Sequence, residues 1–129
     1  MADLIGDDNA NTLTGTAGPD TFQGNGGNDT LIAGPMGSDV INGGTGADTV
    51  VLTGNFAAYA IGYSGGNLTL TNGAVVETIT GVERINFADE TVRVVGNGSE
   101  FATIQAAVNA AANGDTILMI AALQGHTYL

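Results

Sequence analysis

The sequence predicts an all-β protein: a spiral of very short stacked strands, a β cap that closes it, and one short helix near the C-terminus. Three observations carry that expectation. Glycine and aspartate recur with a period of nine residues as far as Leu52. A large apolar residue follows each recurring aspartate by two places. Past residue 53 the repeat stops, and alternating apolar segments separated by glycine- and asparagine-bearing turns replace it. The expected division is residues 1–53 for the spiral, 54–97 for the cap and 98–129 for a helix followed by a strand.

The repeat is clearest in Gly43-Gly44-Thr45-Gly46-Ala47-Asp48-Thr49-Val50-Val51. Gly15, Gly18 and Asp20 fall in the same frame, as do Gly24, Gly27 and Asp29. A copy stretched by an insertion at Pro35-Met36 carries Gly34, Gly37 and Asp39, and a degenerate first copy has Asn11 in the aspartate place. The apolar partners are Leu13, Phe22, Leu31, Ile41 and Val50. Strand side chains alternate between faces, so this residue points inward from a very short strand. The glycines make tight turns in conformations that a β-carbon resists. One unit is then a turn plus a strand, or half a coil. Two units complete a coil, and alternate turns stack on one edge about one strand spacing (~4.8 Å) apart. Asp20 is expected beside Asp39, Asp29 beside Asp48, and Asn11 beside Asp29.

The charge balance gives those columns their chemistry. The chain of 129 residues has 13 acidic side chains against 2 basic ones, a net charge of −11. The first basic residue is Arg84, so the acids up to Asp48 have no internal counter-ion. No basic patch is available to meet nucleic-acid phosphates. The absence of cysteine excludes a disulfide framework, a thiolate zinc site and a cysteine nucleophile. The apolar run from Ile117 to Leu123 is too short to span a bilayer, and residues 1–8 do not read as a cleavable signal peptide. Carboxylates stacked this closely repel unless a cation lies between them. Oxygen-only ligands on flexible glycine turns suit calcium, which tolerates irregular coordination by six to eight oxygens; magnesium demands a stricter octahedron.

These copies resemble the glycine- and aspartate-rich nonapeptide of RTX (repeats-in-toxin, hemolysin-type) proteins, G-G-x-G-x-D-x-U-x with U large and apolar. Gly43, Gly44, Gly46 and Asp48 match every fixed turn position, whereas Thr16 and Asn25 replace the second glycine in their copies and Asn9 and Asn11 depart from the pattern. The resemblance implies a right-handed parallel β-roll with calcium between stacked turns. It implies two or three ions held by Asp20, Asp29, Asp39 and Asp48 and the turns around them, the best site lying between Asp29 and Asp48 and the one at Asn11 being weak. It also implies a non-enzymatic module of a larger secreted protein that leaves a bacterial cell by type I secretion and folds outside on meeting calcium. Its partners would be calcium and the domains of its parent. Two rivals are a piece of a secreted polysaccharide-active β-helix enzyme and a spacer in a bacterial adhesin.

Beyond the repeat, strands are expected at Tyr59–Tyr63, Leu68–Thr71, Val75–Ile79, Val82–Phe87 and Thr91–Val95. Asn72-Gly73 is a hairpin signal of the kind that accepts two positive φ angles. The stretch Thr80 to Asp89 resembles a segment found after RTX repeats and reads as part of an antiparallel cap over the open end of the roll. Ile104, Ala107, Val108 and Ala111 follow helical spacing, and Asp115 to Ile120 reads as a buried strand. Together these resemble the opening of a pectate-lyase-like parallel β-helix. Gly62-Tyr63-Ser64-Gly65-Gly66 fits the G-x-S-x-G hydrolase elbow, but an elbow needs a helix after it and an alternating strand follows. Glu77, Glu83, Asp89 and Glu90 read as turn or solvated strand positions, and His126 as a surface residue.

Overall fold

Strand residues two apart share a face, so the aspartate and the apolar residue of each nonapeptide must turn inward together. The computed structural model, which describes residues 2–34, 36–64, 67–95 and 116–119, is built on that rule. The six short strands are β1 (Ala2–Ile5), β2 (Thr12–Thr14), β3 (Asp20–Gln23), β4 (Thr30–Ile32), β5 (Val40–Asn42) and β6 (Thr49–Val51). They alternate between two sheets, β1-β3-β5 in one and β2-β4-β6 in the other, all parallel within their sheet. In the first sheet Leu4, Phe22 and Ile41 lie in register; in the second, Leu13, Leu31 and Val50 do. Phe22, Leu31, Ile41 and Val50 are wholly buried, and the partly buried Leu4 and Leu13 pack against them at the first coil. The nine-residue frame thus becomes two apolar ladders facing one another, the spiral that the spacing predicts.

The later strands are β7 (Ala60–Ser64), β8 (Asn67–Asn72), β9 (Val75–Thr80), β10 (Arg84–Asn86), β11 (Thr91–Val95) and β12 (Thr116–Met119). β9 lies parallel on β5 and β10 parallel on β6, so the chain from Val75 to Asn86 makes one more coil without nonapeptide sequence. It continues both ladders, with Ile79 beside Ile41 and Ile85 beside Val50. Antiparallel pairing begins only beyond that coil: β8 and β7 extend the first sheet, and β11 pairs antiparallel to β10. β12 then adds parallel to β11, within the expected C-terminal strand. The helix expected from Phe101 lies outside the described residues.

Two local expectations are adjusted. The β8–β9 hairpin turns at Gly73-Ala74 rather than Asn72-Gly73, because Asn72 is still paired with Val75. Only Gly73 has a positive φ, 64°, which fits a turn with glycine at the first central position. Ser64 pairs with Asn67 across an antiparallel hairpin, so the G-x-S-x-G match has a strand where an elbow requires a helix. Asp89 has a structural role: its Oδ1 accepts the Phe56 N–H at 2.9 Å and holds a single 3₁₀ turn, Phe56–Ala58. Phe56 then packs edge-on, and Tyr59 tilted, against Phe87 with ring centroids 5.1 and 5.3 Å apart. Among the described residues no helix is long and apolar enough to cross a membrane.

Candidate metal centre

A carboxylate placed beside the core ladder loses its water, a cost that only hydrogen bonds or a counter-charge offset. Asp20, Asp29, Asp39 and Asp48 are each no more than 2% exposed. The backbone supplies the first compensation. Asp29 Oδ1 accepts the Asn11 N–H at 2.8 Å, Asp39 Oδ1 the Asp20 N–H at 2.8 Å, and Asp48 Oδ1 the Asp29 N–H at 2.9 Å. Asp20 Oδ1 likewise accepts the Ala2 N–H at 3.0 Å. Every aspartate therefore reaches one coil back along the stack. The expected neighbours are brought together: Asp20 with Asp39, Asp29 with Asp48, and Asn11 with Asp29.

The second oxygen distinguishes the sites. Asp20 Oδ2 accepts the Thr16 N–H at 2.6 Å while the Thr16 hydroxyl donates to Oδ1 at 2.8 Å. Burial works against the Asp20 charge, but these bonds outweigh it and hold the carboxyl below its usual range. Asp29 Oδ2 and Asp39 Oδ2 are buried with no hydrogen-bond partner. An oxygen in that state calls for a cation or a proton.

The turns bring further oxygens to the same places. A β-carbon on Gly24 would overlap the Gly43 carbonyl oxygen and lie 2.6 Å from Asp29 Oδ2. On Gly15 it would lie 2.9 Å from both the Ala33 carbonyl oxygen and Asp20 Oδ2, and on Gly43 it would overlap the Gly81 carbonyl oxygen and lie 2.8 Å from Asp48 Oδ2. The first glycine of each turn is thus required by clearance, since a carboxylate and the next coil's carbonyl close around it. Gly27, Gly34, Gly37, Gly44 and Gly46 are required on both counts, each having a positive φ and neighbouring-coil backbone where a β-carbon would stand. Asn25 takes the same conformation at 66°, and its side-chain amide donates to the Gly6 carbonyl at 2.8 Å. Gly18 belongs to neither group; its N–H donates to the Thr16 hydroxyl at 3.2 Å. Among the described residues no three acidic or imidazole side chains converge on one point. A cation here would depend on carboxylate pairs together with main-chain carbonyls, the donor mixture that calcium accepts.

Glu77 and Glu83 depart from expectation. They are 3% and 2% exposed, not solvated. Their strands continue the spiral, so each stands where the next aspartate of its column would. Glu83 Oε1 accepts the Asp48 N–H at 2.7 Å, and Glu77 accepts the Asp39 N–H. The columns therefore read Asp20–Asp39–Glu77 and Asn11–Asp29–Asp48–Glu83. The sequence held the signal: Glu77 precedes Ile79 by two places and Glu83 precedes Ile85 by two, the acid-to-apolar spacing of the repeat.

Burial and the facing Asp39 carboxylate push Glu77 up to about 8, and burial also raises Asp39. Without a cation, folded Glu77 keeps a proton that the unfolded chain releases near 4.5. The folded state then binds more protons across that window, so stability falls as pH rises. In chelator the folded fraction is expected to decline from pH 4.5 to about 8. Circular dichroism across a pH series measures it, and a fraction that is constant or rises would contradict the buried pair.

The family model for the RTX calcium-binding nonapeptide repeat, in four copies, matches residues 5–35 and 36–54. No curated protein matches the chain.

Proposed function

We propose, on the premise that residues 5–35 and 36–54 are RTX calcium-binding nonapeptide repeats, that calcium enters the two carboxylate columns and completes the folding of the chain. The observation that carries this reading is the buried, unpartnered Asp29 Oδ2, stacked under Asp48 and beside the Gly43 carbonyl. Asp29 and Asp48, with carbonyls of the Gly24 and Gly43 turns, would hold one ion. Asp20 and Asp39, with the turns of Gly15, Gly18, Gly34 and Gly37, would hold another. Gly27, Gly44 and Gly46 would shape the turns around these sites, and Asn11, being neutral, makes the first coil the weakest. Two or three ions result.

The physical consequence is a switch. Without cation the columns concentrate negative charge, and ordering the glycine turns costs backbone entropy. With it, binding free energy becomes folding free energy. Sites of extracellular type bind at roughly 10⁻⁴–10⁻³ M, so they stay empty in the cytosol and fill outside. At ten times its dissociation constant one site contributes about 1.4 kcal/mol, and a few sites together decide the state of a small domain. Export as an unfolded chain by the type I route, followed by folding outside the cell as the calcium-dependent module of a larger secreted protein, fits that behaviour.

Circular dichroism during a calcium titration, with magnesium as control, tests the switch. The β signal is expected to grow and saturate at roughly 10⁻⁴–10⁻³ M calcium and to stay unchanged in magnesium. An unaltered spectrum with no heat of binding would end this reading.

A further inference from the structure

We propose that Asp39 and Glu77 form an additional calcium site at the junction between the last repeat coil and the cap, beyond the nonapeptides themselves. The inference rests on the calcium reading of the repeats. Its own support comes from four observations at the junction.

Glu77 lies outside the matched repeats, which end at residue 54, yet β9 carries it into the column above Asp39. Both side chains are at least nine-tenths buried and within hydrogen-bonding reach of each other, and Asp39 Oδ2 and Glu77 Oε2 have no other partner. A cavity of about 160 Å³ opens beside Glu77, bordered by Gly34, Gly37, Thr53 and Tyr59 as well. That volume accommodates an ion with some of its water, since a water molecule's share of liquid volume is about 30 Å³. The fourth observation is charge. The chain's two basic residues, Arg84 and Arg93, sit opposite one another on β10 and β11, in the sheet that carries Glu83. The column that ends in Glu77 belongs to the other sheet, and the positively charged N-terminus acts on its far member, Asp20. Two hard carboxylate oxygens, with a cavity next to Glu77, suit a divalent cation of the calcium type. Such an ion would join β5 to β9 and tie the cap to the roll.

Terbium, which replaces calcium and emits when a nearby tyrosine is excited, is a suitable probe because Tyr59 borders the cavity. The experiment uses the full chain, with calcium counted by titration calorimetry and terbium emission followed through tyrosine excitation. Glu77→Gln keeps an acceptor for the Asp39 amide but removes the charge; it is expected to bind one calcium fewer and to lose most of the sensitised emission. Tyr59→Phe leaves every ligand in place; it is expected to keep the calcium count and lose that emission. An unchanged calcium count in Glu77→Gln, or emission that survives Tyr59→Phe, would overturn the junction site while leaving the repeat sites intact. A wild-type chain that binds no calcium at all would overturn the repeat reading, and this one with it.

Discussion

Asp29→Asn is expected to remove one calcium ion and to weaken the calcium-driven transition at least tenfold, about 1.4 kcal/mol. The side chain keeps its shape and an oxygen for the Asn11 N–H, so the local hydrogen bond at 2.8 Å can persist. What is lost is the charge on the buried oxygen that has no other partner. Asp29→Ala goes further, because the Asn11 amide is then stranded as well, at an additional cost of about 1–3 kcal/mol. The two variants also separate in chelator. There Asp29→Asn should be no less folded than wild type, since it relieves repulsion in its column, whereas Asp29→Ala should be less folded. Calorimetric ion counts and dichroism with and without chelator measure both effects. Wild-type stoichiometry in Asp29→Asn would remove Asp29 from the ligands.

Gly44→Ala is expected to abolish the folded roll at any calcium concentration the chain tolerates. Gly44 has φ 82°, which costs a residue with a β-carbon about 1–2 kcal/mol. The larger penalty is steric: the new methyl would overlap the Asn25 carbonyl oxygen and lie 2.8 Å from the carbonyl carbon. The neighbour is backbone in the coil beneath, so relief requires the coils to separate, and their ladder hydrogen bonds separate with them. Gly73→Ala isolates the conformational part, because Gly73 has φ 64° but nothing within 4 Å of an added β-carbon. It should fold with a modest drop in thermal midpoint. Equal losses in the two variants would show that coil spacing is more compliant than the contacts imply.

The register of the spiral was legible because aspartate and apolar residue occupy one face of the same short strand. That single spacing placed Phe22, Leu31, Ile41 and Val50 in the core and named the stacked aspartates. The cap strands were legible from alternation, but their partners were not. β9 joins β5 through pairs such as Ile41 with Ile79, and no local pattern specifies a pairing across so long a stretch of chain. This is why the last coil read as antiparallel cap and why Glu77 and Glu83 read as solvated. An alternating strand is ordinarily wet on one face, and only the pairing on β5 and β6 shows that these glutamates face the interior. Their acid-to-apolar spacing was present, and Gly81 precedes Glu83 as Gly46 precedes Asp48, but the other turn glycines are missing and Val75 stands in that place before Glu77. The hairpin at Gly73 shifted by one residue for a related reason: buried Leu68 and Leu70 fix which residues of β8 pair with β9, and Asn72 is held in the strand.

The hydrogen bonds along the columns also give the stack a direction. Ala2, Asn11, Asp20, Asp29 and Asp48 donate their amides to Asp20, Asp29, Asp39, Asp48 and Glu83 respectively, always toward the C-terminal neighbour. For the amides of these column residues, the acceptor always comes from the succeeding coil. Trimming from the Met1 end would leave the remaining column amides with their carboxylate acceptors, while turn and strand amides such as those of Gly26 and Thr30 would lose the Asp7 and Asn11 carbonyls. Deleting the Val75–Asn86 coil would leave the coil before it incomplete, and that defect would pass back through the stack. Along the carboxylate columns, the Val75–Asn86 coil is thus the seed on which the aspartate coils close, from Glu83 and Glu77 back toward the N-terminus.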